Sequence, residues 1–257
     1  MAYTRAGRVE SFAWLRYMEF PYLGPGLLVK WGCPPSLYNL IDPVVVKRVI
    51  IETPRGAALG ALVVGEEPQS MHGAALPLPL RRLGPGLYRV GLELDNGVYT
   101  VARMKGYGGF VTLHVYGGKR EAQEMGMTPL ESVRVRGYAT THLVLGYEDK
   151  TVIAAPEPLG FPLEIVPLAA SNIHEPGEAV EVQVLRNGEP LAGAAVRTIH
   201  IDGSVSITEA NDSGVAVVKT GPTVTVVAAT VEEPAPSGKD YDRVRLTATL
   251  SIQALTV

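Results

Sequence analysis

The sequence has almost no cysteine and little histidine. Cys33 is the only cysteine among 257 residues, and there are five histidines. A single cysteine excludes an intramolecular disulfide and an all-cysteine zinc cluster. None of these residues is paired at the short spacing of metal motifs such as H-x-H or C-x-x-C. A metal site in this chain therefore has to combine residues from distant strands and loops.

Charge is also sparse. Charged residues make up 19% of the chain and its formal net charge is -3. The longest basic clusters are Arg81-Arg82 and Lys119-Arg120, which are too short to follow a phosphate backbone. We therefore expect no nucleic-acid partner. Arginine exceeds lysine 16 to 7 and glutamate exceeds aspartate 19 to 7, a bias consistent with a thermophilic source.

Long apolar runs and a leader are missing. No run approaches the roughly eighteen residues of a spanning helix, so we expect no transmembrane segment. The first thirty residues lack the basic start, apolar middle and small-residue cleavage site of a signal peptide. A native start at Met1 therefore predicts a cytoplasmic location.

Catalytic motifs are missing as well. There is no G-x-S-x-G elbow, and the glycine-rich stretch Gly106–Gly109 has no Lys-Ser/Thr pair after it. A hydrolase reading would need Cys33 beside a histidine. We expect a protein that is not an enzyme.

The chain is instead rich in turn residues and short apolar runs. Its 28 glycines and 20 prolines mostly separate runs of Val, Leu, Ile, Thr and Tyr, which is typical of an all-β protein. Val180, Val182 and Val184 alternate with polar residues, and the segment 243–254 alternates in the same way. We predict that this last segment is a half-buried strand with its polar side chains outward.

Turn signals divide the strands. Asn187-Gly188 and Asn96-Gly97 each predict a β-hairpin. The only helices we expect are short ones, at 37–41 or 43–48 and at 119–125. Three prolines in 154–162 cannot donate ladder hydrogen bonds. We therefore predict two β-sandwich domains: an irregular one over 1–157 and an immunoglobulin-like one over 158–257.

Several ordered segments carry a family resemblance. They are a PGE-type entry to a strand at Pro176-Gly177-Glu178, the run Asn187–Ala194 (NGEPLAGA), Leu163–Leu168 (LEIVPL), Val29–Gly32 followed by Pro34-Pro35, Leu83–Tyr88 and Tyr138–Gly146. In this order the chain resembles an uncharacterised prokaryotic family often described as the periplasmic component of nickel or cobalt uptake.

The resemblance implies two β-domains, an extracytoplasmic setting and a role in transition-metal uptake beside a membrane transporter or another protein partner. The chain departs from the family pattern at two places. Cys33 stands where a histidine usually follows Trp-Gly, and Thr140 or Thr141 stands where a lysine is usual.

We single out Cys33, His72 and His142 as candidate metal ligands for nickel or cobalt. Cys33 lies in a Gly-Cys-Pro-Pro segment that can present a thiolate, although a lone cysteine also serves as a small buried hydrophobe. His72 follows Met71 in a loop, where the alternative is a solvated histidine. His142 lies at the predicted start of a strand. We expect the other three in less specific places: His114 on a polar strand face, His174 in a turn and His200 in a structural position.

The sequence thus favours a non-enzymatic binding protein that handles nickel or cobalt. The alternative is a structural or protein-protein interaction module without metal. A convergent set of ligands in one cleft favours the first, and an apolar edge strand with dispersed histidines favours the second.

Overall fold

The computed structural model describes residues 3–4, 7–8, 13–20, 24–31, 45–55, 62–63, 75–77, 84–106 and 109–253. Within these ranges the chain forms twenty strands, grouped in five sheets, and one short helix. The prediction of an all-β sandwich protein is confirmed.

The strands of the first part of the chain are β1 (Tyr3–Thr4), β2 (Gly7–Arg8), β3 (Ala13–Phe20), β4 (Gly24–Trp31), β5 (Val46–Glu52), β6 (Leu62–Val63), β7 (Ala75–Pro77), β8 (Gly86–Gly106), β9 (Gly109–Tyr116), β10 (Thr128–Leu145) and β11 (Val152–Ala154). Those of the second part are β12 (Leu163–Pro167), β13 (Ala169–Ser171), β14 (Ala179–Arg186), β15 (Glu189–Pro190), β16 (Ala195–His200), β17 (Val205–Glu209), β18 (Val215–Lys219), β19 (Val224–Pro234) and β20 (Arg243–Gln253). The helix, α1, is Lys119–Glu124.

The largest sheet has nine strands in the order β17-β16-β19-β20-β10-β8-β5-β6, with β9 paired to β8. Its neighbours are antiparallel except for β10 and β20, which run parallel from Val133–Arg243 to Thr141–Ser251. This pair joins strands from both sides of residue 157 in one sheet. The division into two domains at that residue, and the immunoglobulin-like character of the second, stay predictions.

A smaller sheet covers each face of the large one. On one face lies the β12-β14-β15 sheet with β18, and its apolar residues pack against those of β19 and β20. On the other lies the β3-β4-β7 sheet, which packs against β5, β8 and β10. Because side chains alternate along a strand, each central strand supplies both cores. Val180, Val182 and Val184 are buried in the first core, as their alternation predicts.

The polar face of β20 corrects the prediction of a half-buried strand. Thr249, Ser251 and Gln253 are buried, not solvent-exposed. They face β3, whose backbone they hydrogen-bond: the Thr249 hydroxyl donates to the carbonyl of Ala13 at 2.6 Å, and the Ser251 hydroxyl accepts from the N–H of Leu15 at 3.0 Å. These polar side chains can be buried because they form hydrogen bonds with backbone groups of a neighbouring strand.

Asn96-Gly97 does not close a hairpin, because β8 runs through it. Asp95 is paired with Arg136 and Val98 with Arg134, so β8 has one more residue than β10 at this point. Gly97 has a positive φ of 77°. This is a β-bulge, which uses the same left-handed backbone that a hairpin turn would use. Asn187-Gly188, with φ values of 52° and 83°, does form the predicted hairpin between β14 and β15.

The helix predictions have mixed outcomes. The helix near 119–125 is confirmed as α1. The alternative at 43–48 is wrong from Val46 onward, since Val46 and Arg48 pair with β8 as part of strand β5. Residues 37–41 lie outside the described ranges. Among the described residues, no helix has the length and apolar character needed to cross a membrane.

Candidate functional site

The structure places one of the three predicted metal ligands. Cys33 and His72 lie outside the described residues. His142 lies within β10, which is a single strand over Thr128–Leu145. Gly137 stays in the ladder, paired with Leu94 and Thr247, so His142 is inside a long strand and not at the start of a short one.

His142 is buried because β10 is central. It lies opposite Arg89 of β8, on the face of the large sheet that the β12 sheet covers. Neither of its ring nitrogens has a hydrogen-bond partner within the described part of the chain. An unpaired buried polar atom lowers the stability of the folded protein by about 1–3 kcal/mol. His142 therefore destabilises the fold unless a ligand or water molecule binds its ring nitrogens.

Burial keeps the His142 ring neutral. Burial lowers its pKa to about 3, and the nearby Arg89 guanidinium adds to the shift. A neutral imidazole has one N–H donor and one lone pair. The nitrogen that carries the lone pair can bind a metal ion, so the neutral ring is the form that acts as a ligand.

His174 is the second buried histidine of this region. It lies in the turn between β13 and β14, with its side chain largely buried. Its Nδ1 has no hydrogen bond among the described residues and lies 3.6 Å from Oε2 of Glu178. Burial lowers the pKa of His174, against the Glu178 carboxylate, which raises it. Glu178 is itself held by the Lys150 ammonium at 3.1 Å and the N–H of Glu175 at 2.9 Å.

The two histidines line one small cavity between the large sheet and the β13–β14 turn. Its volume is about 10 Å³, which is room for roughly one water-sized particle. The remaining wall is mostly apolar and includes Pro167, Ala169, Ala170, Val180, Leu250 and Ile252. Two buried histidines, one of them next to the Glu178 carboxylate, thus line a space with the size of a single water molecule or ion.

The sequence did not reveal this pair. His174 is in a turn, as expected, but the turn folds inward over β10. The alternation of side chains along β10 does not by itself indicate which face of the strand a second sheet covers. The signal available in the sequence was the lack of acidic or amide neighbours beside His142, since Thr141 and Leu143 flank it.

The described residues do not supply a complete ligand set. In the ranges that the structure describes, no three His, Cys, Asp or Glu side chains come together as a metal-binding group. His114 is exposed on β9, as predicted, and Nδ1 of His200 lies 3.5 Å from the Thr225 hydroxyl. The described residues therefore bring two buried imidazoles to one cavity, without a third ligand of these types.

A polar network lies next to this cavity on the same face of the sheet. Arg89 forms an ion pair with Glu52 and donates to the carbonyl of Glu157. Its neighbour across the strands is His142. The guanidinium next to His142 is therefore neutralised by the Glu52 carboxylate. The same guanidinium holds the segment that leads into β12 through the Glu157 carbonyl.

Glu164 of β12 also holds the segment that leads into β12. Its buried carboxylate accepts hydrogen bonds from the N–H groups of Leu159, Gly160 and Phe161, at 2.7, 3.0 and 3.2 Å. Burial raises the pKa of Glu164, and the three N–H groups oppose that shift. The result is a fixed loop whose Phe161 ring stacks on Tyr138, with centroids 5.4 Å apart.

Comparison with known proteins gives one match. The family described as Domain of unknown function (DUF4198) matches residues 53–232, which is more than half of the chain. No curated protein and no solved structure matches. The matched range contains His72, His142, His174 and Glu164.

Proposed function

We propose a non-enzymatic role in binding a transition-metal ion for this chain, which belongs to the family of the Domain of unknown function DUF4198. His142 and His174 act as imidazole ligands, and nickel or cobalt is the ion. The observation that supports this most is that both ring nitrogens of the buried His142 lack a hydrogen bond among the described residues, and that His142 and His174 line one cavity of atomic size.

The chemistry of the two side chains suits such an ion. Nickel, cobalt, copper and zinc all accept imidazole nitrogen, and the tightest binding is expected for nickel and copper. The ion needs neutral rings, which burial maintains at both positions. Glu178 beside His174 supplies a negative charge that offsets part of the ion's charge.

The remaining ligands are proposed from the sequence. Cys33 offers a soft thiolate and His72 a third imidazole. If they complete the site, Cys33→Ser and His72→Ala each weaken nickel binding at least about tenfold, or about 1.4 kcal/mol. Unchanged isotherms for both variants would remove these two residues from the site.

The setting follows from the resemblance in the sequence. An extracytoplasmic uptake component hands its ion to a membrane transporter or another protein partner. A small site lined by buried histidines is consistent with carrying an ion between partners.

A thermal melt tests the proposal. Protein stripped with a chelator is melted alone and with nickel, cobalt, zinc or copper. A ligand that binds only the native state stabilises it, by about 2.7 kcal/mol at a hundred times its Kd. We expect a raised Tm with nickel or cobalt that the chelator reverses. Unchanged melts with all four ions would contradict the proposal.

One observation favours the second candidate function, protein-protein interaction without metal. β17 ends the large sheet and, within the described residues, pairs only with β16. Its Val205 and Ile207 are 54% and 67% exposed. A free apolar edge of this kind accepts a strand from a partner. Ile207→Lys should then abolish binding of that partner while leaving the melts with metal unchanged.

A further inference from the structure

The β8–β9 hairpin extends beyond the rest of its sheet. Pairing of β10 with β8 ends at Thr128 and Arg103. Beyond this point Met104 pairs with Val111 and Lys105 with Phe110. Within the described residues no other strand contacts these four in the ladder. Among the described residues, the outer edges of this end of the hairpin therefore have no further strand beside them.

Both faces of this end carry exposed apolar side chains. Residues opposite each other in an antiparallel pair share a face, so Met104 and Val111 lie on one face and Phe110 on the other. Their exposed fractions are 36%, 48% and 69%. Single exposed apolar residues are ordinary, but a cluster of three at one projecting end indicates a contact surface. A flat protein surface would cover one face, whereas a lipid interface surrounds a projecting end.

Cations lie immediately behind the apolar residues. Arg103 and Lys105 share the face of Phe110, and the Arg103 guanidinium lies 5.6 Å from the centre of the Phe110 ring. The sequence from Gly97 to Gly118 has no aspartate or glutamate. In a chain of net charge -3, this end is locally cationic. Long basic side chains reach headgroups while apolar neighbours enter the acyl boundary.

We propose that the end of the β8–β9 hairpin, residues 103–106 and 109–112, binds the surface of an anionic lipid bilayer. Met104, Phe110 and Val111 enter the interface, and Arg103 and Lys105 contact the negatively charged headgroups. This contact does not depend on the two-histidine cavity, which lies on the covered part of the sheet.

Vesicle binding tests the proposal. The full chain is sedimented with phosphatidylcholine vesicles that contain or lack phosphatidylglycerol. We expect binding to the anionic vesicles alone, weakened by salt. Each cation near such a surface contributes roughly fivefold in affinity, so Arg103→Gln with Lys105→Gln should weaken binding about 25-fold. Phe110→Ser with Val111→Ser should also weaken it.

A matched control separates this surface from exposed apolar residues in general. Ile207→Ser changes a residue of similar exposure on β17 and should leave vesicle binding unchanged. Because all these side chains are solvent-exposed, we expect each variant to fold, and thermal melts check this. Absent binding of the wild type, which would point to a protein partner, or equal binding by the hairpin variants overturns the proposal.

Discussion

Gln253 hydrogen-bonds to backbone groups of Leu15 and Tyr17, on either side of Arg16. Its Nε2 donates to the carbonyl of Leu15 at 2.9 Å, and its Oε1 accepts from the N–H of Tyr17 at 3.1 Å. With Ser251 and Thr249, two and four residues earlier, it forms a row of side chains that substitutes for a neighbouring strand. The edge of β3 is thereby attached to the last strand of the large sheet.

Gln253→Leu should destabilise the protein by about 2 kcal/mol, because it removes the side-chain partner of the buried Leu15 carbonyl and of the partly buried Tyr17 N–H. Urea unfolding followed by circular dichroism measures the change. Gln123→Leu, at an exposed position of α1, is the control and should shift the midpoint little. Similar midpoints for the two variants would contradict the role assigned to this row.

Gly91→Ala should destabilise the protein by about 1–3 kcal/mol. An added methyl group would lie 2.6 Å from Cδ1 of Leu159 and 2.6 Å from Cε2 of Phe161, so the loop that Glu164 holds must move. Gly137→Ala is the matched control in the next strand, where the nearest atom is 3.4 Å away. A calorimetric melt compares them, and equal losses would show that the loop does not press on β8.

Glu164→Gln should free the loop at 159–161. Glutamine has one acceptor oxygen, and its NH₂ group cannot accept, so at least one of the three N–H groups loses its partner. We expect faster hydrogen exchange at Leu159, Gly160 and Phe161, and about 1–3 kcal/mol less stability. Glu181→Gln, at an exposed position of β14, should change neither. Unaltered exchange in Glu164→Gln would disprove the carboxylate's role.

The metal-free protein should lose stability as the pH falls from about 6.5 towards about 3. In the folded chain His142 stays neutral down to about 3, whereas in the unfolded chain it takes up a proton below about 6.5. The unfolded state therefore binds more protons in this window, and the free energy of unfolding drops by up to about 1.4 kcal/mol per pH unit. His174, whose pKa is also lowered by burial, acts in the same direction.

Comparison with His142→Leu isolates this effect. Denaturant titrations between pH 6.5 and 5 avoid most carboxylate titration, since their ordinary pKa values lie near 4. The wild type should show the steeper pH dependence. Parallel slopes for the two proteins would mean that His142 is not held neutral by burial.

Local patterns in the sequence predicted much of the fold. The alternation at Val180–Val184 and the turn at Asn187-Gly188 each depend on a few neighbouring residues, and both predictions are confirmed. Asn96-Gly97 showed that the same backbone conformation serves a bulge as well as a turn. Its outcome depends on the strands around it, which a local pattern does not contain.

The candidate site depends on packing between segments that are far apart in the sequence. Whether Ser251 and Gln253 face water or another strand is decided by β3, which lies at the other end of the sequence. In the same way His142 and His174 line one cavity only because the turn after β13 lies over β10. Spacing along the sequence carries no information on such contacts. The roles of Cys33 and His72 stay predictions.

The most direct test of the metal-binding account is a calorimetric titration of chelator-stripped protein with nickel. The account predicts saturable binding by the wild type, at least about tenfold weaker binding (about 1.4 kcal/mol) by His142→Leu and by His174→Leu, and unchanged binding by His114→Ala, whose histidine is exposed. Equal affinities in all four proteins, or no heat of binding in the wild type, would contradict it.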